Sequence, residues 1–208
     1  MKFIKQFGIV RIEAKDLPAS IFQAYPHSET LYERPRMDDW NSCGVYNLIG
    51  NIALTNGVWF NRGELVGKSK LTRGMGPGRI ARILYGRLSG INVAQTFDLT
   101  LDNVEDLTLK RTPVMICRRW WEHGSDETHY DTLLGVAHGR LFWHNPSKPN
   151  GAGTDGFCCM PAKNLREYLE LPVTREGRRR GLKNEHYGLV YADMNQDLPE
   201  GFEVMDFR

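Results

Sequence analysis

The chain has 208 residues, with 41% hydrophobic and 25% charged residues and a formal net charge of +2. That length suits one domain with a core of its own, and so small a net charge neither points to an acidic partner nor excludes one. No run reaches the roughly 18 apolar residues needed to span a bilayer, and four cysteines without a CxxC fit neither a disulfide framework nor a thiolate zinc site.

The N-terminal stretch MKFIKQFGIVRIEAKDLP is broken by Lys5, Gln6 and Arg11 and has no signal-peptide core. It predicts synthesis in the cytoplasm; export by a machine that ignores signal peptides stays open. KFIKQFGIVRIEA alternates loosely and reads as a first strand. DLPASIFQAYPHSETLYERPRMDDW, with three prolines, reads as loop.

A helix follows. Asn41 and Ser42 are good N-cap types. Val45, Leu48, Ile49, Ile52 and Ala53 recur at spacings of three and four, and Asn56-Gly57 is a natural stop. After a glycine-rich connection, GRIARILYGRLSG reads as a second helix with Ile80, Ile83, Leu84 and Leu88 on one face. NVAQTFDLT reads as a strand. TLDNVEDLTLKRT reads as a short helix capped by Thr100 or Asp102.

The strand half comes next. PVMICRRWW is β-rich, and HYDTLLGVA, HGR and LFWHNP read as a hairpin. KNLREYLEL is a short helix, HYGLVYADM a late strand, and the last ten residues an edge. Helices first and an antiparallel sheet after them predict an α+β fold.

Cys43 opens the first long helix. A thiol there feels the positive end of the macrodipole and the free N–H groups of the first turn, which favour the thiolate. The plain alternative is a small apolar residue packed in a core. A nucleophilic cysteine needs a base, usually His, held by a third polar group. His129 opens one hairpin strand and Asn145 closes the other. If residues 136 to 138 form the turn, positions summing to 274 face each other and His129 sits opposite Asn145. A two-residue turn would put Asn145 on the opposite face. Trp143, two residues before Asn145, would share its face and shield the His–Asn bond. His138 reads as a turn residue and His144 as packed or exposed.

The ordered set WNSCGVYNLIGNIA, TPVMICRRWW and HYDTLLGVAHGRLFWHNPS resembles papain-like cysteine peptidases, most closely the bacteriocin-leader (double-glycine) peptidase-like domains. The resemblance covers about residues 34 to 165, within a single domain taken as 1 to 208. It implies N-terminal helices packed on a C-terminal antiparallel sheet. It also implies a triad of Cys43, His129 and Asn145 that cleaves a peptide or amide bond through an acyl-enzyme, without metal or cofactor. Family members commonly carry a Gln about six residues before the Cys as oxyanion donor; here position 37 is Met. Asn41 and Arg36 are the candidates for that role, beside the backbone N–H of Cys43. Trp120 and Trp143 are candidates for lining a substrate groove.

Three products fit the chemistry: a peptidase, an amidase of cell-wall peptide acting as antibacterial effector or lysis factor, and a transferase. A binding protein on the same fold without turnover is the competing class. GMGPGRIARIL lacks the Lys-Ser/Thr of a phosphate loop. The basic run TREGRRRGLK has no interleaved aromatics, so it reads as a solvated loop and no nucleic-acid or membrane partner is expected.

Overall fold

The computed structural model describes residues 6–33, 43–66, 76–119, 128–145, 156–172, 179, 181 and 184–207. The helices are α1 (Ala19–Gln23), α2 (Cys43–Asn56), α3 (Arg62–Val66), α4 (Pro77–Arg87), α5 (Leu101–Leu109) and α6 (Leu165–Leu169). The strands are β1 (Val10–Ile12), β2 (Ile91–Thr96), β3 (Val114–Arg119), β4 (Thr128–Ala137), β5 (Arg140–Asn145) and β6 (Gly156–Pro161). They continue with β7 (Leu171–Pro172), β8 (Asn184–Glu185), β9 (Tyr187–Asp193) and β10 (Glu203–Val204).

Among the described residues one eight-stranded sheet runs β1-β6-β5-β4-β3-β9-β2-β10, and β7 pairs with β8 apart from it. Every pairing along the large sheet is antiparallel. The fold is therefore α+β, as expected. Its order is less simple than helices followed by sheet, because β1 and β2 come from the N-terminal half and join the two flanks. Among the described residues, no helix is long and apolar enough to cross a membrane.

The sheet buries both faces. On one, Met115, Cys117, Tyr130 and Leu189 pack against Val45, Leu48, Ile49 and Ile52 of α2 and Ile80 and Leu84 of α4. On the other, Val114, Ile116, Leu133 and Trp143 pack against Val104 and Leu107 of α5 and Leu165 and Tyr168 of α6. Alternation along the strands divides these sets, with odd and even positions going to opposite sides. Burial of each such Leu or Ile contributes about 1.5–3 kcal/mol before chain entropy is charged against it.

Helix α2 ends as its composition predicts. Gly57 takes a positive φ of 68° and its N–H donates to the carbonyl of Ala53. Helix α5 starts on the Thr100 cap, whose side chain accepts from the Asn103 N–H while Asn103 reaches back. The segment expected to be loop carries α1 and a 3-10 stretch over Ser28–Glu33 instead. Leu17, Ile21, Tyr25 and Leu31 of that segment are core residues beneath Leu134 and Phe142. The short helical pieces hold too few turns to show a period, which hides them from pattern reading.

The hairpin β4–β5 corrects the expected register. Ala137 pairs with Arg140, so the turn is the two-residue His138-Gly139, at φ of 52° and 70°. Both positive values suit the tight turns that match strand twist. That turn alone would put Asn145 on the wrong face. A bulge between Leu133 and Gly135 then shifts the pairing by one, so that Leu133 faces Trp143 and Thr132 faces His144. The next positions along are Asp131 and Asn145. The bulge therefore returns Asn145 to the face shared by His129 and Asp131. Gly135 is required there: a Cβ would lie 2.6 Å from Thr108 Cγ2 on α5.

Candidate active site

Cys43 is the first residue of α2 and is 6% exposed. Two features of α2 bring it to the sheet. Gly44 lets the helix end approach β4, since a Cβ there would stand 2.9 Å from Ile80 Cδ1 and 3.3 Å from the Tyr130 ring. The Asn47 amide donates to the carbonyl of Cys43 at 3.0 Å and to that of Tyr130 at 2.5 Å. Helix start and strand start are thus tied together at the residue after His129.

His129 is buried near the start of β4. Its Nε2 lies 2.7 Å from Asn145 Oδ1. An oxygen acceptor on that side assigns the ring N–H to Nε2, which leaves Nδ1 to receive a proton from the thiol. The two reactive groups feel each other. Burial pushes the Cys43 thiol up, but the charge and hydrogen bonding of His129, with a backbone hydrogen bond from Tyr130, bring it below its ordinary value; Asp131 pushes back. Burial pushes His129 down, but Cys43 and then Asp131 raise it above its ordinary value, with Arg118 opposing. Each group alone would stay neutral in so dry a place. Paired, they favour thiolate and imidazolium together.

Three neighbours were not legible as site residues. Asp131 lies 3.4 Å from His129 Nε2 through Oδ1, and its Oδ2 accepts from Arg118 Nε at 2.5 Å and from Tyr168 Oη at 3.1 Å. Arg118 and Asp131 are both 0% exposed, and the Arg118 guanidinium sits 5.0 Å from the centre of the Tyr168 ring. The available signal was spacing: Asp131 is two positions beyond His129 on one strand, and so on its face.

No protein-family model matches the chain, and no curated protein matches it.

The structure thus sets His129 against Asn145, and the opposed shifts of Cys43 and His129 put the thiol near the same ring. It corrects the reading of Trp143, which is 0% exposed and packs on Tyr168 with ring centroids 5.2 Å apart. A side chain with no open surface lines no groove. His144, on the other face, is buried against Phe157, and His138 is a turn residue. The oxyanion candidates Asn41 and Arg36, and the groove candidate Trp120, lie outside the described residues. Among the described residues no three His, Cys, Asp or Glu side chains gather as metal ligands would.

Cys117 contrasts with Cys43. It lies in the same apolar cluster, but burial pushes its thiol up to about 12. Two buried thiols in one core therefore differ in reactivity because only one has an imidazole beside it.

Proposed function

We propose that the protein is a cysteine-nucleophile hydrolase of papain-like type, acting on a peptide or related amide. The observation that carries this reading is the convergence of Cys43 on the buried His129–Asn145 pair. His129 Nδ1 takes the thiol proton, and the thiolate attacks the amide carbonyl to form a C–S bond. The imidazolium returns that proton to the leaving amine as the C–N bond breaks. His129 then takes a proton from water, whose hydroxide oxygen attacks the thioester and releases acid and free thiol. Asn145 keeps the ring in the productive tautomer through both halves.

A second reading has one observation in its favour. At 6% exposure, Cys43 offers little surface to a substrate, and Met37 stands where the resembled family carries a donor Gln. A binding protein on the same fold with slow turnover fits those facts. A screen separates the two: a casein-type protein, peptidoglycan fragments, and an amide with an added amine acceptor, each against wild type and Cys43→Ala. Turnover of any of them by wild type and not by Cys43→Ala supports the hydrolase and names its substrate class. Thiol labelling of Cys43 no faster than that of Cys117 overturns it.

A further inference from the structure

The two oxygens of Asp131 do different work. Oδ2 is held by the Arg118 and Tyr168 donors at 2.5 Å and 3.1 Å. Oδ1 accepts no hydrogen bond from the described residues, although it is buried. A buried carboxylate oxygen without a donor is uncommon and asks for a reason. Oδ1 stands 3.4 Å from His129 Nε2, and that nitrogen already lies 2.7 Å from Asn145 Oδ1. One ring N–H therefore faces two oxygens, the nearer neutral and the farther charged.

We infer that Asp131 is a positioning residue for His129: the reserve acceptor of its Nε2–H and the fixed charge that steadies the imidazolium. This rests on the Cys43–His129 reading above. When His129 takes the thiol proton, its attraction to a carboxylate grows more than its attraction to an amide dipole. A ring tilt of under an ångström then brings Oδ1 into hydrogen-bond range. Arg118 tempers the effect. An undamped buried carboxylate would also oppose the thiolate, and the guanidinium on Oδ2 limits that while fixing where the carboxylate points.

The groups around the ring define the expected signs. Cys43 faces it from α2, Arg118 from β3, Asp131 from β4 itself and Asn145 from β5; Tyr168 reaches Asp131 from α6. Cys117, Tyr130 and Tyr187 lie farther out beside the thiol and are held neutral by burial. Asp131 favours the proton on both partners of the pair. Its removal should make the thiolate form at lower pH, and the imidazolium lose its proton at lower pH. A residue that only props up the fold would change amplitudes and leave both inflections in place.

The test is alkylation of Cys43 by iodoacetamide against pH, read by peptide mass, in wild type, Asp131→Asn, Asn145→Ala and their double variant. The pair Arg118→Met with Asp131→Asn is added, because it leaves no lone buried charge should Asp131→Asn fail to fold. Wild type is expected to show two inflections, one for forming the thiolate–imidazolium pair and one for losing the ring proton. Both move down by about one pH unit in Asp131→Asn, and in the same direction but less in the Arg118/Asp131 pair. Asn145→Ala alone slows labelling at neutral pH by about tenfold or less, since Asp131 takes over the N–H. The Asn145/Asp131 double variant slows it by more than the product of the singles. Unmoved inflections in the folded Asp131 variants, or singles that simply multiply, overturn the inference while the Cys43–His129 pair stands. A wild-type profile with one inflection in the ordinary thiol range overturns the pair itself, and this inference with it.

Discussion

Asn47 donates to the carbonyl of Tyr130 at 2.5 Å, and so joins the helix that carries Cys43 to the strand that carries His129. Its Oδ1 accepts from Thr132 Oγ1 at 2.7 Å, and Thr132 also reaches Asn51 Oδ1 at 2.9 Å. Farther along, Tyr191 Oη donates to the carbonyl of Asn51 and meets the Thr55 hydroxyl. Cys43, Asn47, Asn51 and Thr55 are spaced by four, so they form a polar stripe along one side of a mostly buried helix. This stripe fixes the azimuth of α2 on the sheet, where apolar packing alone would tolerate rotation.

Asn47→Leu keeps the volume and removes both functions of the amide. It leaves the Tyr130 carbonyl without its Asn47 donor and Thr132 with one acceptor fewer. The expected loss is about 3 kcal/mol, or roughly 6–12 °C in the midpoint of a thermal melt. Cys43 labelling should slow as well, because the thiol is no longer held against the ring. A melt within two degrees of wild type, with labelling unchanged, would show that the stripe carries neither fold nor site.

His129→Ala tests the electrostatic claim directly. Burial opposes the Cys43 thiolate, and His129 is the largest influence favouring it. Without the ring the thiol moves above its ordinary value, so its thiolate fraction at pH 7 falls by tenfold or more. Iodoacetamide labelling should fall with it toward the rate of Cys117. Equal rates for Cys43 and Cys117 in the wild-type protein would sink the expectation before any variant is made.

Much of this site was legible because it rests on local signals. The 43–56 helix has an apolar stripe and a stop, and both survive in the structure; its expected caps, Asn41 and Ser42, lie outside the described residues. The hairpin survives for a less tidy reason. A two-residue turn and a one-residue bulge each reverse the face of Asn145, and together they cancel; a bulge leaves no mark in the alternation of LLGVA. The residues that were missed are those whose type misleads. Arg118, Asp131 and Asn47 are of types that usually face solvent, yet they are buried here: Arg118 pairs with Asp131, and Asn47 bonds the Cys43 and Tyr130 carbonyls and Thr132. Trp143, on the face of Asn145, was also a groove candidate, but ring area buried against Tyr168 stabilises more than it would exposed. Strand β6 was missed because its partners, β1 and β5, are 147 and 17 residues away at the paired positions Arg11–Cys158 and Phe142–Cys159, one long and one short separation that period-two reading within GFCCMP does not reveal.

Arg118→Met should be the most damaging single change near the site that leaves the triad intact. It strands the Asp131 carboxylate, which is 0% exposed, with Tyr168 as its remaining hydrogen-bond donor among the described residues. Breaking such a pair from one side costs about 3–5 kcal/mol, a fall of roughly 6–20 °C in Tm. Adding Asp131→Asn removes the stranded charge and should recover most of the loss. The comparison is one of thermal melts. If the double variant is no more stable than Arg118→Met, the loss came from the packing of the Arg118 stem on Tyr168 and not from the charge.

Alkaline pH should unfold the protein through the core around Cys117. Burial pushes that thiol up to about 12, and the neighbouring phenols of Tyr130 and Tyr187 are raised as well. All three are raised in the folded state, so the folded chain keeps protons that the unfolded chain releases. Their contribution to stability is complete below the unfolded value of Cys117, 9.0, and is lost as pH climbs toward the folded value. Within that window each group steepens the decline by at most about 1.4 kcal/mol per pH unit. Urea midpoints measured at pH 7, 9, 10 and 11 should therefore be level at first and then fall. Cys117→Ala removes one of the three groups, so its decline above pH 9 should be shallower even though the smaller side chain lowers stability throughout. Parallel curves for the two proteins would mean that the thiol at 117 ionises as freely in the folded core as outside it, and the contrast drawn between Cys43 and Cys117 would fail with it.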